Sequence, residues 1–275
     1  MRETIWLVGG DERCFWTAQQ LRSSGAEVLT FGVPRLSDTP LPVAFSTLIL
    51  PFPSFRGALV RGPSAVPTEE LLCRSDGQTR VFGGQFGIWR EAFEARGARV
   101  RELYDTEPLT TANAVPTAEG ALALAMEHAP ITLHGASCLV IGYGRIGKLL
   151  SQRLQALGAS VTVAARKPAD RALAEAFGLQ SEITGVYLHG LGQYDFVFNT
   201  VPAATLCEAQ LRFLPPECVL LELASPPYGI DAAACKRLGL TYVLAAGLPG
   251  QCAPKTAGAA YAQSILELLE REETP

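Results

Sequence analysis

The chain has 275 residues, 48% hydrophobic and 18% charged, enough apolar material for two ordinary compact domains. A net charge of −4 leaves no basic face to neutralise a run of phosphates, which excludes nucleic acid as the expected partner; a small anion needs only one or two local cations. The seven cysteines are scattered without CxxC or Cys/His ligand spacing, which fits a reducing cytosol and gives no metal site. No leader pattern follows Met1 and no apolar run approaches the roughly 20 residues that cross a bilayer, so a cytoplasmic protein without membrane contact is expected.

Short runs rich in Val, Leu and Ile alternate with helical patterns along the chain, which predicts an α/β fold of two doubly wound parallel-sheet domains. Residues 1–115 read as a flavodoxin-like domain. Its strands are expected at Thr4 to Val8, ending in Gly9-Gly10, then at Glu27 to Phe31, Thr47 to Leu50, Arg80 to Phe82 and Arg99 to Leu103. Helices fall at Cys14 to Ser23 and Ile88 to Arg96, stopped by Gly25 and Gly97, and Pro51 to Pro67 reads as a Pro-rich loop. A bridging helix is expected over 116–130, with Pro116 first and Glu119 in its opening turn. A second domain over 131–253 has expected strands at Cys138 to Ile141, Val161 to Ala164, Phe196 to Asn199, Val219 to Leu223 and Tyr242 to Ala246. The last helix, Thr256 to Glu270 within 254–272, is expected to return to the first domain.

The strand from Ser137 runs into Gly142-Tyr143-Gly144-Arg145-Ile146-Gly147, followed by a helix from Lys148 to Leu157 that Gly158 ends. In a Rossmann dinucleotide-binding unit the first glycine makes the tight turn, the second admits the pyrophosphate and the third allows close helix-sheet packing. A lone GxGxxG is weak; framed by strand, helix and the strand to Ala164 it is strong, the alternative being a glycine-rich turn in a flavodoxin-like unit. After that strand stand Ala165, Arg166 and Lys167. An acid there would hold the ribose of NAD, whereas Arg166 and Lys167 suit the 2′-phosphate of NADP, with NAD as the alternative cofactor. The plain alternative is two solvated cations, and Asp170 reads as a helix cap. Asn199, Thr200, Val201 and Pro202 follow one strand and Ala224 and Ser225 another, where a nicotinamide pocket forms. Ordinary capping also explains Asn and Ser there.

Several segments together resemble one family: Gly9-Gly10-Asp11-Glu12-Arg13, Asn113-Ala114-Val115-Pro116-Thr117-Ala118-Glu119-Gly120, His134-Gly135, Asn199-Thr200-Val201-Pro202, Leu223-Ala224-Ser225-Pro226-Pro227-Tyr228-Gly229, and the run from Gly247 to Gly258. In this order the chain is similar to the A subunits of dipicolinate synthases; Cys14-Phe15-Trp16 and Pro51 to Pro67 depart from that pattern. The resemblance implies a pyridine-nucleotide enzyme of spore-forming bacteria. With a flavoprotein-like B subunit it would oxidise a dihydrodipicolinate-type precursor to dipicolinate in the cytoplasm of the mother cell.

A dicarboxylate substrate needs cations or helix N-termini. Lys255, behind Pro254 at the start of the last helix, is the first candidate and Arg13 the second; each has a solvated surface charge as its alternative. Asp11, Thr117, Gly247 and Pro249 are further candidate substrate contacts, and Lys255, Glu119 and His134 are the catalytic candidates. Glu119 has a helix-dipole role as its alternative, and His134 a structural one. The remaining histidines, His128 and His189, do not follow a late strand, and no Arg follows Val219 to Leu223, which disfavours a 2-hydroxy acid. Two other functions stay open: a non-catalytic NADP(H)-binding subunit and a different NADP-dependent reductase. A homo-oligomer is compatible with the sequence.

Overall fold

The computed structural model describes residues 4–187 and 190–273, so His189 lies outside the described residues. The chain divides into two compact units, Met1–Asn113 with Ala253–Pro275, and Ala114–Cys252.

In the first unit the order is β1 (Thr4–Val8), α1 (Glu12–Ser23), β2 (Glu27–Phe31), β3 (Thr47–Ile49), β4 (Phe55–Arg56), β5 (Leu59–Val60), α2 (Thr68–Cys73), β6 (Arg80–Gly83), α3 (Trp89–Ala95) and β7 (Arg99–Glu102). The parallel sheet runs β2-β1-β3-β6-β7. Because side chains alternate across a strand, Ile5, Leu7, Ile49 and Phe82 face one core while Trp6, Val8, Leu48 and Val81 face the other. The Pro-rich segment holds a short antiparallel hairpin, Phe55 opposite Val60, where the sequence reads as loop. Its prolines lie outside the two strands, and Pro67 makes only an isolated antiparallel bridge to Leu59.

α4 (Glu107–His128) starts nine residues before the expected bridging helix and carries Pro116 in its interior. A proline there forfeits a hydrogen bond and costs roughly 3 kcal/mol in an isolated helix. Burial of Leu109 and Ala114 on one side of it and of Ala118, Ala121 and Ala125 on the other offsets that cost. Pro108, at the second position of α4, supplies the helix start that the sequence pattern assigns to Pro116.

The second unit continues with β8 (Ser137–Ile141), α5 (Arg145–Ala156), β9 (Ser160–Ala164), α6 (Pro168–Ala176), β10 (Gln180–Glu182), β11 (Phe196–Asn199), α7 (Glu208–Leu211), β12 (Val219–Glu222), α8 (Ala232–Leu238), β13 (Thr241–Leu244) and α9 (Leu248–Cys252). Its sheet is parallel throughout, in the order β10-β9-β8-β11-β12-β13. That is the doubly wound Rossmann order, with the switch between β8 and β11. The register aligns Glu182, Ala164, Ile141, Asn199, Glu222 and Leu244 in one row along the carboxyl edge. Ligands of open α/β sheets lie beyond that edge.

α10 (Pro254–Glu273) returns to the first unit and packs on α1 at Gly258. A Cβ on Gly258 would collide with the Arg13 carbonyl oxygen and stand 2.7 Å from Trp16 Cβ and 3.0 Å from Thr17 N. The Thr17 hydroxyl bridges the two helices, 2.9 Å from the Arg13 carbonyl and 3.1 Å from the Gly258 carbonyl. Farther along α10 the buried Tyr261 hydroxyl donates to the Leu50 carbonyl at 2.8 Å. Gly258→Ala is therefore expected to lower stability by about 1–3 kcal/mol through overpacking, read as a lower Tm in thermal denaturation. An unchanged Tm would mean that the two helix backbones are not in close contact at this point.

Candidate functional site

The glycine loop is shaped by three close approaches. Gly142, at φ +96, donates its N–H to the Ala164 carbonyl at 2.8 Å, and a Cβ on it would strike the Thr200 hydroxyl and come 2.8 Å from Val201 Cγ2. Thr200 is held there because its N–H and its hydroxyl both donate to the Ile141 carbonyl at 2.9 Å. A Cβ on Gly147 would collide with the Gly142 carbonyl, so only glycine lets α5 start this near β8.

Gly144 is different: nothing lies within 4 Å of the position a Cβ would take. It is the N-cap of α5 without a side-chain cap, and the first backbone bond into it comes from Lys148 N at 2.9 Å. The opening N–H groups of an α-helix, here those of Arg145, Ile146 and Gly147, have no acceptor within the helix. An open space against the positive end of a helix whose N-cap residue has no side chain is a cradle for a diphosphate, so the loop fits a dinucleotide. Arg145 is exposed and Ile146 half-buried. Tyr143 is 3% exposed, and its hydroxyl is buried without a partner. Burial, and then the charge of Asp170, push its phenol up.

Beyond β9, Ala165 is buried and its N–H donates to the Glu182 carbonyl at 3.0 Å, while Arg166 and Lys167 are exposed. The N-cap of α6 is Lys167, with Pro168 in the first helical position, so Asp170 lies in the first turn and is not the cap. Pro168, with its fixed φ, starts the helix ahead of Asp170. Arg171, not among the sequence candidates, donates from Nη1 to the carbonyls of Ala165 at 2.9 Å and Arg166 at 3.0 Å and so fixes this turn.

Asn199 is fully buried. Its amide donates to Glu222 Oε1 at 2.6 Å and to the Val201 carbonyl at 3.0 Å, so it shapes the Thr200–Pro202 turn from within. Glu222, also missed by the sequence reading, accepts as well from the N–H groups of Gly229 at 2.8 Å, Ile230 at 2.9 Å and Ala224 at 3.1 Å. Its signal was an acid closing the otherwise apolar strand Val219–Glu222. Burial, and then the Glu222 charge, push the neighbouring Tyr242 phenol up to about 12. Ala224 is buried, whereas Ser225 and Pro202 are exposed at the strand ends.

The substrate candidates fall in both units. In the first, Asp11 is the N-cap of α1 and holds Arg13 bidentately, with the shortest ion-pair distance 2.7 Å. Burial raises the Asp11 carboxyl, but the Arg13 guanidinium beside it more than offsets this and holds it below its ordinary value. Arg13 also donates to the Phe52 carbonyl at 2.6 Å, and its side chain is only 15% exposed. It borders a pocket of about 250 Å³, open to solvent, lined with Cys14, Phe52, Tyr104, Asn113, Ala257 and Tyr261. The Tyr104 ring stacks on Phe52 with centroids 3.5 Å apart, and burial is the main cause that pushes its phenol up to about 12. Lys255, in the first turn of α10, is exposed with Nζ 5.0 Å from the centre of the Trp16 ring. A cation–π contact, not a buried anion site, is what surrounds it.

In the second unit Thr117 is buried on α4, Gly247 has φ +73, and Pro249 is buried in α9. Two catalytic candidates lie away from the glycine loop. Glu119 is 58% exposed and pairs with Arg153 at 3.4 Å. Arg153 belongs to the last turn of α5, whereas the glycine loop opens its first. His134 precedes the amino end of β8 and packs its ring on Gly158, where a Cβ would collide with Nδ1. It therefore stands a full strand length from the carboxyl edge, roughly 16 Å for five residues. His128 hydrogen-bonds the Leu124 carbonyl at 2.9 Å on its own helix. Among the described residues no helix is long and apolar enough to cross a membrane.

No family model matches the chain. It is 30% identical over 283 aligned residues to the dipicolinate synthase A subunit of Bacillus subtilis (strain 168), across 96% of this chain and 95% of that one. The crystal structure of the dipicolinate synthase A subunit from Bacillus halodurans superposes with a TM-score of 0.90 at 25% identity, over 98% of both chains. The crystal structure of its counterpart from Bacillus subtilis superposes at 0.87 and 29% identity, over 98% of this chain and 97% of that one. A transhydrogenase from Sinorhizobium meliloti, 16% identical with a TM-score of 0.74 over 98% and 94% of the two chains, shares the fold. The fold with two parallel sheets and the near full-length match agree, and the chain belongs to the family of dipicolinate synthase A subunits.

Proposed function

We propose that this chain binds NADP at the glycine loop and, as the A subunit of a dipicolinate synthase, uses it to oxidise a dihydrodipicolinate-type precursor to dipicolinate. The observation that carries the reading is the open space over Gly144 beside the uncapped start of α5, set on the carboxyl edge of a doubly wound sheet. A nicotinamide bound there would supply hydride acceptance, the electronic part of the reaction.

The chain's own residues bind and orient. The amides opening α5 take the diphosphate, Arg166 and Lys167 the 2′-phosphate, and the Thr200–Pro202 and Ala224–Ser225 turns wall the nicotinamide. Arg13, already neutralised by Asp11, fits a positioning contact to one substrate carboxylate better than a free cation. Lys255, Thr117, Gly247 and Pro249 remain proposed substrate contacts. The partner would be a flavoprotein-like B subunit, and the setting the cytoplasm of a sporulating mother cell.

One observation favours a second reading. The acid–base candidates Glu119 and His134 stand away from the glycine loop, which suits a chain that holds the cofactor while its partner completes the chemistry. Incubating the purified chain with NADP and freshly generated dihydrodipicolinate, with and without the B subunit, separates the two. Nucleotide reduction by this chain alone supports catalysis within it; reduction only in the mixture supports the second reading.

Two substitutions test the cofactor site. Gly144→Val places a side chain in open space, so the Tm should stay within a few degrees while dinucleotide affinity, read by NADPH fluorescence, falls at least tenfold. Unchanged affinity would move the dinucleotide elsewhere. The double change Arg166→Ala with Lys167→Ala should weaken NADPH roughly tenfold or more, on the scale of a charge-assisted phosphate contact, and leave NADH within about threefold. Equal losses for both nucleotides would remove the argument for a 2′-phosphate.

A further inference from the structure

Glu222 is completely buried, and both of its oxygens are occupied by donors: the Asn199 amide at 2.6 Å and the N–H groups of Gly229, Ile230 and Ala224 at 2.8, 2.9 and 3.1 Å. Four donors and no acceptor match an ionised carboxylate. Among the described residues no Lys or Arg pairs with it. Neutral dipoles hold a buried charge in place but do not cancel it, and keeping such a charge is expensive. A loop latch alone could be built from neutral groups.

The position of Glu222 says what that charge meets. It is in register with Asn199, which is in register with Ile141, the residue before Gly142. At about 4.8 Å per strand it sits roughly 10 Å from the strand that delivers the glycine loop, on the side away from β9 and β10. A dinucleotide crosses the edge of such a sheet with one half on each side of the switch point. With the adenosine ribose beside Arg166 after β9, the nicotinamide falls over β11 and β12. At that end the two redox forms differ in charge: the oxidised ring carries a positive charge that the reduced ring has lost.

We infer that Glu222 is a positioning residue whose uncompensated buried charge makes the nicotinamide half of the site favour the oxidised dinucleotide over the reduced one. It rests on the dinucleotide reading above and adds to it a preference for redox state. A fixed negative charge in a weakly polarisable interior attracts the cationic ring and leaves the neutral one without that attraction. The site then holds the hydride acceptor and releases the hydride carrier, the order an oxidation needs.

The test is the dissociation constant of NADP⁺ and of NADPH for the full chain, by calorimetry at one pH and ionic strength, in wild type and in Glu222→Gln. The amide keeps the shape and removes the charge. Preference for NADP⁺, taken as Kd(NADPH)/Kd(NADP⁺), should fall about tenfold in the variant, equivalent to about 1.4 kcal/mol. A purely structural latch would weaken both forms alike, so a ratio within twofold of wild type overturns the inference. Should the variant fail to fold, wild type still decides: the inference requires NADP⁺ to bind at least as tightly as NADPH, and a threefold preference for NADPH overturns it. Binding of both forms with an unchanged ratio removes this inference alone, whereas binding of neither removes the dinucleotide reading with it.

Discussion

The second unit depends on how closely α5 can start beside the end of β8. Gly147 rests against the Gly142 carbonyl and Gly142 against Thr200, so the helix, the turn and the end of β11 occupy space that a single added methyl would claim. That proximity aims the amino end of α5 past the carboxyl edge of the sheet. The row Ala164, Ile141, Asn199 and Glu222 then gives every strand-end turn a common base line. Thr200 and Asn199 tie one of those turns to it, Glu222 another, and Arg171 a third. The candidate site is thus several short turns fixed to one edge by hydrogen bonds, those of Glu222 buried and the others part-buried.

The first unit uses the same device for a different end. Gly258 lets α10 lie directly on α1, and Thr17 bridges their carbonyls. The start of α1 carries Asp11 and Arg13, so this packing also places the ion pair beside the pocket lined by Tyr104 and Tyr261. A guanidinium shared between a carboxylate and a backbone carbonyl has few ways to move, which suits orientation of a ligand more than capture of one from solution.

What could be read from the sequence follows from what each feature needs. The glycine loop is legible because it depends on residue type at fixed spacing inside a strand–turn–helix frame. The two parallel sheets are legible because their buried strands are near-continuous apolar runs. Glu222 and Arg171 were not legible, since a buried acid and a surface-like arginine take their roles from loops that fold back onto them. The length of α4 was hidden by Pro116, where tertiary burial outweighs a local penalty. The placement of Glu119 and His134 away from the glycine loop was not legible for a related reason: proximity in sequence to a motif says nothing about which end of the sheet a residue occupies. His134 precedes β8 by three residues and Gly142 follows it by one, yet the strand carries them to opposite edges.

The two ends of the crevice carry opposite charge, and this asymmetry matches the ligand proposed for it. After β9 stand Arg166, Lys167 and Arg171; after β12 the buried charge is that of Glu222. A phosphorylated adenosine brings negative charge to the first end, and an oxidised nicotinamide brings positive charge to the second. Reversing the ligand would set phosphate near a buried carboxylate and a cationic ring near three cations, an arrangement penalised at both ends. The amides of α5 in the middle would donate to a diphosphate in either direction, so they would supply affinity but no polarity. On that reading orientation comes from the strand-end residues, and the cost of a buried charge at Glu222 is set against the ligand it would orient.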